Sequence, residues 1–122
     1  MTFTNTVNLC SLNVNGINSR EKRNRVIEWV TAQKSVISFL QETHFDEIIE
    51  RDINNKTAYD AFCSHGTTAS RGVAILIKKS LSYELINKFI DRDGRLVLIN
   101  VQMNNSIFTF INVYAPNCKT SR

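Results

Sequence analysis

A chain of 122 residues with 43% hydrophobic content is long enough to bury one packed core, since independent folding becomes marginal only below about 70–80 residues. Fifteen Lys and Arg against eleven Asp and Glu leave a net charge of +4, a balance that suits a polyanionic partner without naming one. The apolar runs fall far short of the ~20 residues that span a bilayer, and no basic-then-apolar export signal opens the chain. Cys10, Cys63 and Cys118 form no Cys-x-x-Cys pair, which excludes the usual zinc and disulfide patterns and fits reduced thiols in an intracellular protein.

In chain order, Val7 to Val14 reads as a first strand, stopped by Asn15-Gly16, a pair that favours positive-φ turn conformations. Asn18 or Ser19 then caps a helix from Arg20 to Gln33, with Val26, Ile27 and Val30 as its buried stripe and Arg23 and Arg25 away from the stripe's centre. Ser35 to Gln41 holds an apolar run and reads as a second, largely buried strand. Such a β-α-β crossover makes its strands parallel, so Asn13 and Glu42 fall on one rim of the sheet. A short acidic helix covers Asp46 to Asp52. A strand at Tyr59 to His65, a hairpin-like polar loop at Gly66 to Arg71 and a strand at Gly72 to Lys78 follow. Tyr83 to Ile90, Arg95 to Met103 and Ser106 to Tyr114 read as an antiparallel meander, divided by the turn formers Asp91-Arg92-Asp93-Gly94 and Asn104-Asn105. No repeat or Pro/Gly-rich linker divides residues 1–122, so the expectation is one α/β unit.

Three polar segments fall where strands end: Ser11-Leu12-Asn13-Val14-Asn15-Gly16, Leu40-Gln41-Glu42-Thr43-His44 and Asn112-Val113-Tyr114-Ala115-Pro116-Asn117. Together with Arg71-Gly72-Val73-Ala74-Ile75-Leu76, and in this order, they resemble the signature segments of the exonuclease/endonuclease/phosphatase superfamily. His44 after Glu42-Thr43 and the Tyr-Ala-Pro-Asn ending are most similar to the endonuclease of LINE-type (non-LTR) retrotransposon polyproteins. The resemblance covers essentially the whole chain but only about the amino-terminal half of the family's domain. It implies half of a four-layered α/β sandwich, in which this chain supplies mainly one sheet. The inner face of that sheet, with Val97, Ile99, Phe108 and Phe110 as candidates, is then expected to lack its partner and to favour self-association or a complementary carboxyl-terminal half.

By the same resemblance Glu42 is the metal-binding glutamate, and a carboxylate oxygen suits Mg²⁺, with Mn²⁺ as the substitute ion. Asn13 matches an asparagine that arranges metal and phosphate, and Tyr114 a tyrosine whose hydroxyl lies near the scissile phosphate, where a phenol can donate to developing charge. On their own, these residue types at strand ends would be a surface carboxylate, a turn former and a core-edge aromatic. Asn15 stands where repair-type relatives carry Asp, in a turn that the family sets against the DNA backbone, and is expected to bind DNA there; Asn117 matches a residue beside that backbone. His44 is placed by the DNA groove. Arg20, Lys22, Arg23 and Arg25 crowd the start of a helix next to the first turn, where cations and an amino terminus favour phosphate. Neither His44 nor His65 occupies the family's catalytic histidine position.

The family also uses an Asp-x-Asn segment, usually within Gly-Asp-Phe-Asn, and a terminal Ser-Asp-His, and the sequence is read as lacking both. The expectation is therefore a portion of a Mg²⁺-dependent DNA-nicking endonuclease, inactive by itself, acting on DNA in the nucleus. A non-catalytic nucleic-acid-binding module and a phosphatase of the same superfamily are the alternatives.

Overall fold

The computed structural model describes residues 7–67 and 69–115. Strand β1 (Leu9–Asn13) leads into helix α1 (Arg20–Ala32), capped by the Ser19 side chain accepting from the Lys22 amide at 3.3 Å. Strand β2 (Ile37–Gln41) and helix α2 (Glu47–Lys56) follow, the latter capped by Asp46 Oδ1 accepting from the Ile49 amide at 2.9 Å. The second helix runs a turn beyond the Asp52 expected from sequence, because Ile49 and Ile53 form one buried stripe and Lys56 suits the carboxyl-terminal end of the helix dipole. Five strands complete the chain: β3 (Tyr59–Ser64), β4 (Val73–Lys78), β5 (Glu84–Ile90), β6 (Leu96–Met103) and β7 (Ser106–Val113).

The strands form two sheets, ordered β1-β2-β4-β3 and β5-β6-β7. The β1–β2 pair is parallel, as the crossover predicts, and the remaining ladders are antiparallel. Strand β4 is almost wholly apolar because it is covered on both faces. Ala74 and Leu76 join Leu40, Val30, Phe45 and Ile53 beneath the helices. Val73, Ile75 and Ile77 face the other way, into a second cluster with Val97, Ile99, Val101 and Met103 of β6.

That second cluster corrects one expectation. The meander is a separate sheet packed face to face on the first, and Val97 and Ile99 are fully buried between the two. Period-2 alternation along β6 fixes which side faces in, but it does not say which partner lies opposite. Phe110 packs edge-on against Phe39 with centroids 6.0 Å apart, so it too is partnered, whereas Phe108 stacks on Phe110 and is 41% exposed. Exposed apolar surface lies instead on the outer side of the second sheet, at Phe89, Ile107, Ile111 and Val113. Strands β1 and β7 are the outermost of their sheets on the side where a wide groove opens between them. No helix among the described residues is long and apolar enough to cross a membrane.

Candidate active site

Where β1 and β2 end, the backbone stays paired through a set of interlocked turns. The Val14, Gly16 and Ile17 amides donate to the carbonyls of Gln41, Glu42 and Thr43 at 2.9, 2.6 and 3.0 Å. The Thr43 and His44 amides donate to Gly72 and Arg71 carbonyls, both at 3.1 Å, and the Gly72 amide to the Gly94 carbonyl at 3.0 Å. Four segments distant in sequence thus meet at one rim. The left-handed region is crowded here: Asn15, Gly16, Glu42, His44, Arg71, Gly72 and Gly94 all have positive φ, with Glu42 at 56° and His44 at 57°. For residues with a Cβ this conformation costs roughly 1–2 kcal/mol each and persists only where surrounding contacts impose it.

Two glycines make the meeting possible. A Cβ on Gly16 would lie 2.5 Å from Nδ1 of the His44 ring, and one on Gly94 would lie 2.4 Å from the Gly66 amide nitrogen. The Gly94 turn is itself pinned by Asp91, whose Oδ1 accepts from Ser64 Oγ at 2.5 Å and from the Arg95 and Leu96 amides at 3.1 and 3.3 Å. Burial alone would raise the Asp91 pKa. The hydrogen bonds from Ser64 and from the Arg95, Leu96 and Asp93 backbone outweigh it and hold the carboxyl below its ordinary value.

Asn13 is exposed, and its Oδ1 accepts from the Asn15 amide at 3.0 Å, so it shapes the turn as well as flanking the site. Glu42 follows Gln41, which pairs directly with Asn13, and its half-buried carboxylate makes no hydrogen bond or ion pair with any described residue. Tyr114 is half-buried against the inter-sheet cluster, its amide donating to the Arg95 carbonyl at 2.8 Å. Asn13 and Tyr114 line one groove of about 770 Å³, whereas Glu42 sits beyond its lining, next to Gln41.

The residues expected against DNA are distributed less evenly. Asn15 and Arg20 are exposed, and His44 is half-buried over Gly16. Lys22 Nζ donates to the Asn15 carbonyl at 3.1 Å, placing that cation on the rim. Arg23 departs from expectation: it is buried, and its Nη1 donates to the Asn18 carbonyl at 3.1 Å and the Ile17 carbonyl at 3.4 Å. The guanidinium satisfies loop carbonyls that enter α1, a role that periodicity does not signal because the aliphatic stem follows the buried side while the head finds its own partners. Asn117 and Cys118 lie outside the described residues.

Other groups belong to the frame. His65 pairs with Glu50 of α2 at 2.7 Å. The Cys63 thiol is pushed well up by burial and then by nearby Glu50, which leaves it inert. The string Asp52-Ile53-Asn54 does spell Asp-x-Asn, but it lies within α2. There Asn54 binds the Glu50 carbonyl and the Ala61 amide, and Asp52 pairs with Lys56, so it does not supply the missing segment.

Two site-lining residues, Asn112 and Gln41, stand in the strand-end segments that carry the resemblance but take no role of their own from sequence. Asn112 is 3% exposed, and its Nδ2 donates to the Leu40 and Ala74 carbonyls at 3.0 and 2.9 Å while its Oδ1 accepts from Gln41 Nε2 at 2.9 Å. Gln41 Nε2 also reaches Ser11 Oγ at 3.1 Å. Beyond its place in that segment, the signal in the sequence is that Asn112 continues the inward-facing series Phe108, Phe110, a place where an unpaired amide would be costly.

Among the described residues no group of three or more His, Cys, Asp or Glu could hold a metal. Mg²⁺ requires no such cage, since it is commonly held by one or two carboxylates together with water and substrate phosphate. Glu42, with the Asn13 amide on the adjoining strand end, fits an open site of that kind.

A two-sheet α/β sandwich with its polar residues beyond the carboxyl ends of parallel strands defines the class, and such strand ends are the usual place for ligands. Residues 10–120 match the model of the Endonuclease/Exonuclease/phosphatase family, and the chain belongs to that family. It is similar to the Transposon TX1 uncharacterized 149 kDa protein of Xenopus laevis, 28% identical over 116 residues, which is 95% of this chain and 9% of that protein. Among solved structures it resembles D. rerio TDP2 complexed with single strand DNA product, with a TM-score of 0.69 and 15% identity over 94% of this chain and 48% of that one. It also resembles the endonuclease domain of TRAS1, a telomere-specific non-LTR retrotransposon, with a TM-score of 0.59 and 10% identity over 87% of this chain and 44% of that one. At these identities the two structures speak for the fold. The chain spans about half the length of the solved structures it matches.

Proposed function

We propose that this chain supplies the metal- and phosphate-facing part of a Mg²⁺-dependent DNA endonuclease site, of the kind that nicks target DNA for a LINE-type retrotransposon. The observation that carries the reading is Glu42, its carboxylate without a hydrogen-bond or ion-pair partner among the described residues, held in a left-handed turn at the exit of β2, directly after Gln41, which pairs with Asn13 and lines the same groove as Tyr114. A bound divalent ion would supply charge stabilisation to a phosphodiester oxygen. The chain's own part is to hold that ion through Glu42, to orient a phosphate through the Asn13 amide, and to donate from the Tyr114 hydroxyl. Asn15, Arg20, Lys22, His44 and Asn117 position the DNA backbone without reading its sequence.

Preparing the attacking water needs a further group. The sequence contains neither Gly-Asp-Phe-Asn nor Ser-Asp-His, so nicking is expected only when polypeptide carrying them is supplied. The test is a supercoiled-DNA nicking assay in Mg²⁺ on the chain alone, on the chain with the carboxyl-terminal portion of a related endonuclease, and on that mixture with Glu42→Ala. Because members of a catalytic unit lose most of their effect together, the chain alone should stay at background and the mixture should lose its activity with Glu42→Ala. Metal-dependent nicking by the chain alone would overturn the division of labour. Salt-sensitive DNA binding with no cleavage in any mixture would favour a binding module.

A further inference from the structure

We infer that Asn112 is a positioning residue for Glu42: from the second sheet, it fixes the end of β2 so that the turn carrying the carboxylate keeps its aim. The inference rests on the metal-site reading above. Its physical basis is the bonding of one buried amide. Both hydrogens of Asn112 Nδ2 are taken by carbonyls of the first sheet, those of Leu40 and Ala74, and its Oδ1 holds the side chain of Gln41. Leu40 and Ala74 are directly paired across the β2–β4 ladder. The amide therefore clasps two neighbouring strands at once, from a strand of the other sheet.

The clasp sits immediately before the site. Leu40 and Gln41 are the last residues of β2, and Glu42 follows. The turn after them is held by the turn that follows β1 and by the residue that precedes β4, through the Gly16–Glu42 and Thr43–Gly72 backbone hydrogen bonds. Asn112 adds the restraint from above, along the chain direction that leads into Glu42. Apolar packing between the sheets resists separation but is tolerant of sliding, whereas three directed hydrogen bonds define a single register. Tyr114 lies two residues beyond Asn112, so the same clasp sets the spacing between the strand ends that carry Glu42 and Tyr114.

Partners that orient a metal ligand commonly change metal affinity about 10- to 100-fold when removed. The experiment compares Asn112→Ala and Gln41→Ala with Ile99→Val, a change in the same inter-sheet core away from the clasp. Gln41→Ala serves as the second variant should Asn112→Ala fail to fold. Each chain is titrated with Mn²⁺ by water-proton relaxation, with Glu42→Gln as the reference for loss of the site, and amide exchange is followed by NMR. Expected are an approximately 10-fold weaker Mn²⁺ response and selectively faster exchange at the Gly16, Thr43 and His44 amides, with α1 amides following global stability alone.

Ile99→Val should lower protection evenly and leave the ion response unchanged. If the clasp variants behave as Ile99→Val does, with Mn²⁺ affinity and rim exchange following stability only, Asn112 is a sheet-to-sheet tie and the inference falls. If the parent chain's Mn²⁺ response is insensitive to Glu42→Gln, the metal reading falls, while selective exchange at the rim still decides whether Asn112 holds the turn.

Discussion

The two ends of the sandwich solve the same problem differently. At the rim beyond β1 and β2, positive φ is concentrated in four mutually bonded turns and reaches a carboxylate, a histidine and an arginine. At the opposite end it occurs singly, at Lys34 between α1 and β2 and at Asn104 in the β6–β7 hairpin. An isolated left-handed residue is ordinary turn chemistry. A cluster that includes Glu42 and His44 gathers several such conformational costs in one place, and the surrounding glycines and backbone bonds keep it there.

The largest effect should follow from filling space at the rim. Gly94→Ala combines a strained φ with a clash against the Gly66 and Gly72 backbone, and is expected to lower stability on the order of 3 kcal/mol in urea denaturation. Asn104→Ala at the other end should cost about 1 kcal/mol. Equal losses would mean that the rim is no more tightly interlocked than a hairpin.

Next comes relief of strain. Glu42→Gly and Lys34→Gly should each raise stability by about 0.5–1 kcal/mol, the roughly 1–2 kcal/mol of left-handed cost less the added entropy of an unfolded glycine. Only Glu42→Gly should abolish the Mn²⁺ response. A destabilised Glu42→Gly beside a stabilised Lys34→Gly would show that Glu42 is comfortable in its turn.

A smaller effect concerns acid. The folded-state pKa of Asp91 is depressed, so as pH falls below the ordinary value of 3.8 the unfolded chain takes up its proton first and stability declines until the folded carboxyl is protonated too. Asp91→Asn retains an acceptor for the Arg95 and Leu96 amides and removes the titration. Its melting temperature should fall less steeply than the parent's through that acid range, and parallel curves would exclude Asp91 as a source of the slope.

The smallest is a change in salt dependence. Charge removal at Arg20, Lys22 and Arg25 together should weaken DNA binding and reduce the log–log salt slope by about 0.9 for each phosphate that the protein ceases to neutralise. Arg23→Gln should lower stability and leave the slope alone, because that guanidinium is occupied by the Ile17 and Asn18 carbonyls. A slope that responds to Arg23 but not to the other three would reverse the assignment.

Strand and helix positions were legible because each carries its own period. Leu40 and Leu76 must face helices if Phe39 and Ile75 face a sheet, and the Asn15-Gly16 and Asp91-to-Gly94 turns announce themselves. Asn13, Glu42 and Tyr114 were singled out by the resemblance alone; the crossover accounts for Asn13 and Glu42 sharing a rim, and Tyr114 follows β7 of the second sheet. What could not be read was pairing between distant segments. Nothing local says that the meander closes over Ile75 as its own sheet, that Arg23 turns back to its loop, or that the amide of Asn112 reaches Leu40, 72 residues away. Each depends on which groups meet in three dimensions, where a polar atom's partner is set by packing.

Strand β7 has a consequence for handling the protein. Its eight residues, Ser106 to Val113, contain no charge, proline or glycine, and it is the last strand of its sheet. Natural sheet edges are usually blunted by lysine, proline or a bulge, since an uncharged run rich in β-branched and aromatic residues templates further strands. With Ile107, Ile111 and Val113 exposed on its outer side, this strand carries the composition of a fibril-forming segment. A single gatekeeper such as Thr109→Lys, on that exposed face and away from the groove, would be the change to make before concentrating the protein.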